Sequence, residues 1–163
     1  MITQKNIKDK VLDKSQLLKS KIGLKLVRIG RLTRAHGRQC FSSVNAEITP
    51  EQFGVLTALI ENDGMYQRQI GHLTLKDRPN MTRIIKILEN KGLITRKEDV
   101  NKRKIYKLFI TEEGKKVHAN ILPTVFKVWN TCLEGIGDEE IQVFINTLNK
   151  IRGNLEKEVI LQT

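Results

Sequence analysis

Hydrophobic positions along this chain change their spacing several times, and each change marks an element. From about Asp9 to Gly37, the residues Leu17, Leu18, Ile22, Leu24, Leu26, Val27, Ile29 and Leu32 recur between lysines and arginines. That recurrence predicts one long basic amphipathic helix, with more apolar residues than a thin stripe requires. It should be buried against more than its own chain. A polar connection from Gly37 to Glu47 follows. Thr49-Pro50-Glu51-Gln52 then supplies a helix start, with a Thr cap, proline at the first helical position and a carboxylate in the first turn. Phe53, Leu56, Leu59 and Ile60 form the inward face of that helix, and Asn62-Asp63-Gly64 stops it. A short helix from about Gln67 to Leu73 turns Ile70 and Leu73 inward.

Asp77 caps the next helix, and Pro79 lies in its first turn. Met81, Ile84, Ile85 and Leu88 occupy one face of it, while Asn80, Arg83, Lys86 and Lys91 project from the other. Gly92 is its C-terminal cap. Leu93 to Lys97 and Lys104 to Ile110 carry the β-type residues of two strands around a basic turn. Thr111 caps a helix to about Leu133, bent at Pro123, and Gly135-Ile136-Gly137 breaks it. A last helix, from about Asp138 to Glu158, has Ile141, Phe144, Ile145, Leu148, Ile151 and Leu155 as its stripe. A short basic helix followed by a basic two-stranded ribbon can place one element in a DNA major groove and the other on the minor groove.

Composition narrows the class. The 163 residues are 39% hydrophobic and 29% charged, which suits one globular module. No apolar run approaches the roughly 18 residues of a membrane span. Met1 to Lys21 is dotted with lysine and is expected not to be a secretory signal. Cys40 and Cys132 have no metal-ligand spacing and are too few for a disulfide framework, so the expected compartment is the cytoplasm. The net charge of +11 is unevenly spread. Residues 1–50 hold 11 basic and 3 acidic side chains, residues 51–111 hold 12 and 7, and residues 112–163 hold 6 and 8. The positive excess therefore spares the C-terminal third, and such a surface binds phosphate backbones by counterion release. No glycine loop that would cradle phosphate, nucleophile elbow or paired metal motif is present, so no enzyme and no cofactor are expected.

Thr49-Pro50-Glu51-Gln52-Phe53-Gly54-Val55-Leu56, Asp77-Arg78-Pro79-Asn80-Met81-Thr82-Arg83, Leu88-Glu89-Asn90-Lys91-Gly92-Leu93-Ile94 and Ile110-Thr111-Glu112-Glu113-Gly114 together resemble the MarR family of bacterial transcription regulators. The resemblance covers about Leu24 to Leu155. It implies a mostly α, winged helix-turn-helix homodimer that binds double-stranded DNA, with long N- and C-terminal dimerisation helices and a two-stranded β wing. Residues 1–48 would be the N-terminal dimerisation helix and connection, 49–111 the DNA-binding lobe, and 112–163 the C-terminal dimerisation helices. Arg78 to Asn90 would be the recognition helix and Thr95 to Phe109 the wing. The family commonly shows an Asp, any residue, an Arg, five residues, then Leu-Thr. Counting back from Ile110-Thr111 puts Lys104 at the arginine position and Lys102 at the aspartate position, and a one-residue slip would use Arg103 and Asn101. Which wing cation enters the minor groove is thus open, and the carboxylate that would anchor it is missing.

The residues expected to contact DNA are Gln67, Arg68, Arg78, Pro79, Asn80, Thr82, Arg83 and Lys86 around the recognition helix, with Lys102, Arg103 and Lys104 on the wing. The bland reading makes these solvated charges and helix-start chemistry. Cys40, near His36 and Arg38, is a candidate redox thiol, against the plainer reading of a passive cysteine at a helix end. Cys132 reads as core, and Phe126 and Trp129 as packing between helices. His36, His72 and His118 lie far apart and read as structural or surface residues. A ligand-responsive repressor on a pseudo-palindromic operator is the leading expectation, with an aromatic or other small-molecule effector left open. A redox-sensing regulator and a non-regulatory winged-helix protein are the alternatives.

Overall fold

The computed structural model describes residues 14–100 and 102–158, with side chains from 16–100 and 105–158. The elements run α1 (Lys14–Ser43), α2 (Pro50–Glu61), β1 (Met65–Tyr66), α3 (Gln67–Thr74), α4 (Arg78–Asn90), β2 (Ile94–Asp99), β3 (Lys102–Ile110), α5 (Glu112–Cys132) and α6 (Asp138–Leu155). The fold is mostly α with one small antiparallel sheet, as the sequence indicated. That sheet has three strands rather than two, in the order β1-β3-β2. The added strand β1 is two residues long, too short to show a period, and pairs Met65 with Leu108 and Tyr66 with Lys107.

The helices start where local chemistry directs. Thr49 and Gln52 form a reciprocal capping box on α2, with Gln52 N donating to Thr49 Oγ1 at 3.3 Å and Thr49 N to Gln52 Oε1 at 3.0 Å. Asp77 Oδ1 caps α4 by accepting from Asn80 N at 2.9 Å. At the far end of α4, Gly92 takes φ +68° while Leu93 N donates to Leu88 O and Gly92 N to Glu89 O. That is the paired closure only a left-handed residue permits, and glycine adopts it without a Cβ clash. Gly114 is required for a different reason. A Cβ there would stand 2.1 Å from Leu93 O, because the first turn of α5 lies directly on the start of β2.

The core gathers Val55, Leu56 and Leu59 of α2, Ile70 of α3, Met81, Ile85 and Leu88 of α4, and Leu108 of β3. Several expectations need correction. Gly37 does not end the first helix; α1 continues to Ser43 because Phe41 is buried, its ring edge-on to Phe53 at 5.9 Å. Asn45, with φ +49°, makes the turn instead. Ile60 and Leu73 are exposed rather than inward, since each sits at the end of its helix beyond the reach of the core. Cys132 is exposed too, at the last turn of α5. Phe126 and Trp129 are half exposed, not enclosed between helices of the same chain.

Every residue from Gln16 to Leu32 is exposed, and α6 buries nothing. The two arms thus carry apolar residues such as Leu24, Val27 and Phe144 that are exposed among the described residues. No helix among the described residues is long and apolar enough to cross a membrane.

Candidate nucleic-acid interface

Helix α4 buries Met81, Ile84, Ile85 and Leu88 and turns Arg78, Pro79, Asn80, Thr82, Arg83 and Lys86 to solvent. The 3.6-residue period sorts these residues, so the polar ones share the side opposite the core. Helix α3 crosses below through a tight turn in which Leu75 adopts φ +50°. Among the described residues, Arg68, Arg78, Arg83 and Lys86 have no carboxylate partner. Cations left unpaired on a helix face beside a rigid core are free to meet an anion.

Two concavities flank α4. The larger, about 770 Å³, lies between α3, α4 and the wing and brings Gln67, Arg68 and Arg78 together with Lys76 and Arg96 over Tyr106 and Leu108. The smaller, about 250 Å³, lies between α4 and the start of α2 and is lined by Thr49, Gln52, Lys76, Asn80 and Arg83. Lys86 lines neither. Lys76 lines both, and neither it nor Arg96 stood out in the sequence, because each is a single cation outside α4.

Three of the expected contact residues are partly committed inside the protein. Gln67 Nε2 donates to Thr82 Oγ1 at 2.7 Å, and the Thr82 hydroxyl donates to Arg78 O at 2.9 Å. This pair braces α3 against α4. Asn80 Nδ2 donates to Asp77 Oδ2 at 2.8 Å, so its side chain reinforces the cap of α4. The backbone and side-chain bonds from Asn80 hold the Asp77 carboxyl below its ordinary range, and it stays ionised at the helix start.

On the wing, the side chains of Lys102, Arg103 and Lys104 lie outside the described residues. The backbone shows the strands reaching one another at Asp99↔Lys102, with an irregularity between Glu98 and Asp99. Asp99 is the residue that sequence reasoning missed. Its side chain is 3% exposed, accepts from the Tyr66 hydroxyl, and has Lys107 Nζ 3.9 Å away. The bond to Asp99, with partial burial, raises the Tyr66 hydroxyl above its ordinary pKa, so the phenol keeps its proton. The wing therefore has a buried carboxylate after all, three positions before the one where spacing placed it. No local signal could reveal this, since Tyr66 is 33 residues away.

The remaining candidates lie away from this face. Cys40 Sγ is 3.7 Å from His36 Nε2, one turn earlier on α1, and is half-buried. His118, read from the sequence as structural or surface, is buried. Its ring stacks on Phe53 at 4.4 Å and 9°, with Nε2 3.0 Å from Thr57 Oγ1.

Comparison with known proteins agrees with the geometry. The sequence model of the MarR family matches residues 46–105, which run from just before α2 into β3. The uncharacterized HTH-type transcriptional regulator YybA of Bacillus subtilis is 32% identical over 112 residues, covering 69% of this chain and 75% of that protein. The crystal structure of the transcriptional regulator SlyA superposes with a TM-score of 0.74 at 29% identity, covering 84% of this chain and 95% of that one. The PcaV transcriptional regulator of Streptomyces coelicolor, solved in complex with its natural ligand, gives 0.66 at 25% identity, covering 78% and 89%.

Proposed function

The chain belongs to the MarR family of transcriptional regulators, and from that premise we propose that it is a homodimeric, ligand-responsive repressor of a pseudo-palindromic operator. The observation that carries the reading is the solvent face of α4. Among the described residues Arg78, Arg83 and Lys86 have no carboxylate partner there, on a helix fixed from behind by four buried side chains. Arg83, one turn into the helix, reads base edges, and the wing cations and Arg68 hold phosphates. The uncovered apolar residues of α1 and α6 support pairing with a second copy, which would set two lobes at a fixed spacing. A small-molecule effector would act by binding one dimer geometry better than the other, and the ligand-bound PcaV supports that reading. Such a regulator works in the cytoplasm, where the DNA is.

The test is selection of duplexes from a random library by the full chain, followed by footprinting. Enriched sequences should contain inverted half-sites about one helical turn apart, roughly 10 base pairs. Equal binding to every duplex would instead identify a structural DNA-binding protein. The proximity of His36 to Cys40 favours one further reading, a thiol switch of the same fold. Peroxide-dependent release from the selected duplex, abolished in Cys40→Ser, would distinguish it from ligand control.

A further inference from the structure

We propose that Asp99 and Tyr66 are positioning residues for DNA reading, which fix the wing relative to the recognition helix. This rests on the reading of the lobe as a DNA-binding unit. A carboxylate with 3% of its side chain exposed is costly at the end of a surface hairpin unless it is paired. Stability alone would be served as well by an apolar residue of similar size. Here the Asp99 carboxylate accepts from the Tyr66 hydroxyl, and Lys107 Nζ lies 3.9 Å from it and 5.6 Å from the centre of the Tyr66 ring. Three strands meet at this point, because Asp99 ends β2, Lys107 lies in β3 and Tyr66 ends β1.

Tyr66 is also the residue that opens α3, its backbone N–H donating to Gln69 Oε1 at 2.9 Å. The next residue, Gln67, reaches α4 through Thr82 at 2.7 Å. Bonded groups therefore run from the wing through β1 and α3 to the recognition helix. Asp99 is also the ladder partner of Lys102, where the run of wing cations begins. Val100, just beyond, is fully exposed. This buried polar attachment lies toward the far end of the hairpin, and with the Arg96–Glu89 pair between β2 and α4 it holds the angle of the hairpin. The attachment sets the distance between the two DNA-reading elements, and hence which base pairs the wing can reach.

The test uses a duplex enriched from a random library by the unmodified chain. Tyr66→Phe removes one hydroxyl and leaves the ring. It should weaken binding about tenfold, the scale of a lost hydrogen bond to a charged group, and should erase hydroxyl-radical protection at the outer flanks of the footprint only. In a chain that also carries Lys102→Ala, Arg103→Ala and Lys104→Ala, Tyr66→Phe should cause no further loss, because there is nothing left to position. Asp99→Asn should follow the same pattern. Equal loss in both backgrounds would reduce the pair to ordinary structural support and overturn the proposal, as would no loss in either. If the unmodified chain enriched no duplex, the regulator reading would fall and this inference with it. If it did, and Tyr66→Phe matched it, this inference alone would fall.

Discussion

The DNA-binding lobe and the helical arms use similar residues to opposite effect. In the lobe, Leu56, Leu59, Ile70, Ile85 and Leu88 are buried by elements of the same chain. In the arms, Leu18, Leu24, Val27, Phe144 and Ile145 are as apolar and remain exposed. The lobe thus buries its apolar residues against its own chain, Phe41 of α1 and Val117 and Ile121 of α5 included, and under the proposed pairing the exposed apolar residues of the arms would be buried by a second copy. Residues 1–50 are strongly basic and residues 112–163 slightly acidic, so the two arms differ in charge as well. If the proposed dimer forms, a chain divided in this way could change the spacing of its two lobes without disturbing their cores.

Breaking the arms should have the largest effect on function and little on the lobe. Leu24 and Phe144 are exposed here, and carboxylates at both positions would repel an apolar partner face. Leu24→Glu combined with Phe144→Glu should give a monomer by analytical ultracentrifugation. Affinity for the selected duplex should fall about 10²–10⁴-fold, the advantage that two linked sites have over one. Hydrogen exchange in α2 and α4 should be unchanged. Normal affinity from the monomer would dissolve the contrast between the two regions.

The reverse change strikes the lobe. Leu56 is fully buried between α2 and the rest of the core, and Leu56→Ala should cost about 2–5 kcal/mol in a denaturant titration. Dimerisation should survive wherever the lobe is still folded. A loss below 1 kcal/mol would mean that the lobe is not packed as described.

His118 sharpens the comparison at the seam, where α5 meets α2. Burial lowers the pKa of its ring, so the folded protein favours the neutral form. The unfolded ring takes up a proton near pH 6.5 and the folded ring only at lower pH. Stability is therefore fully present above about pH 6.5 and is lost as the pH falls through that value toward the folded pKa. His118→Phe keeps the stack on Phe53 and should flatten thermal stability between about pH 7 and 5. A slope that persists in the variant would assign the acid sensitivity to other groups.

Sequence legibility follows the range of each interaction. The Thr49 and Asp77 caps and the Met81–Leu88 face were readable because each depends on neighbours within a few residues. Ile60 and Leu73 were misplaced because a periodic apolar residue at a helix end looks like one at its centre, and only the packed neighbours distinguish them. Helix α1 ran past Gly37 because Phe41 finds Phe53, a contact that no local preference for a turn reveals. For the same reason the cations of α4 could be named as candidates from the sequence, while Asp99, Lys76 and Arg96 could not. Their roles come from elements brought together by the fold.

Arg96 offers the smallest and finest test. Its Nε lies 3.0 Å from Glu89 Oε2, joining β2 to α4, and both side chains are about one-third exposed. Exposed pairs of this kind contribute about 0–1 kcal/mol, because water screens the attraction and two long side chains must be held still. Arg96 also lines the large groove with Arg68, Lys76 and Arg78. If its charge serves the phosphates more than the lobe, Arg96→Ala should leave the melting temperature nearly unchanged. It should also lower the slope of log affinity against log salt by about one. Glu89→Ala should do the opposite, freeing the guanidinium and strengthening binding slightly at low salt. Arg96→Ala that destabilised the lobe by several kcal/mol while leaving the salt slope intact would make this cation part of the core's support and not of the reading surface.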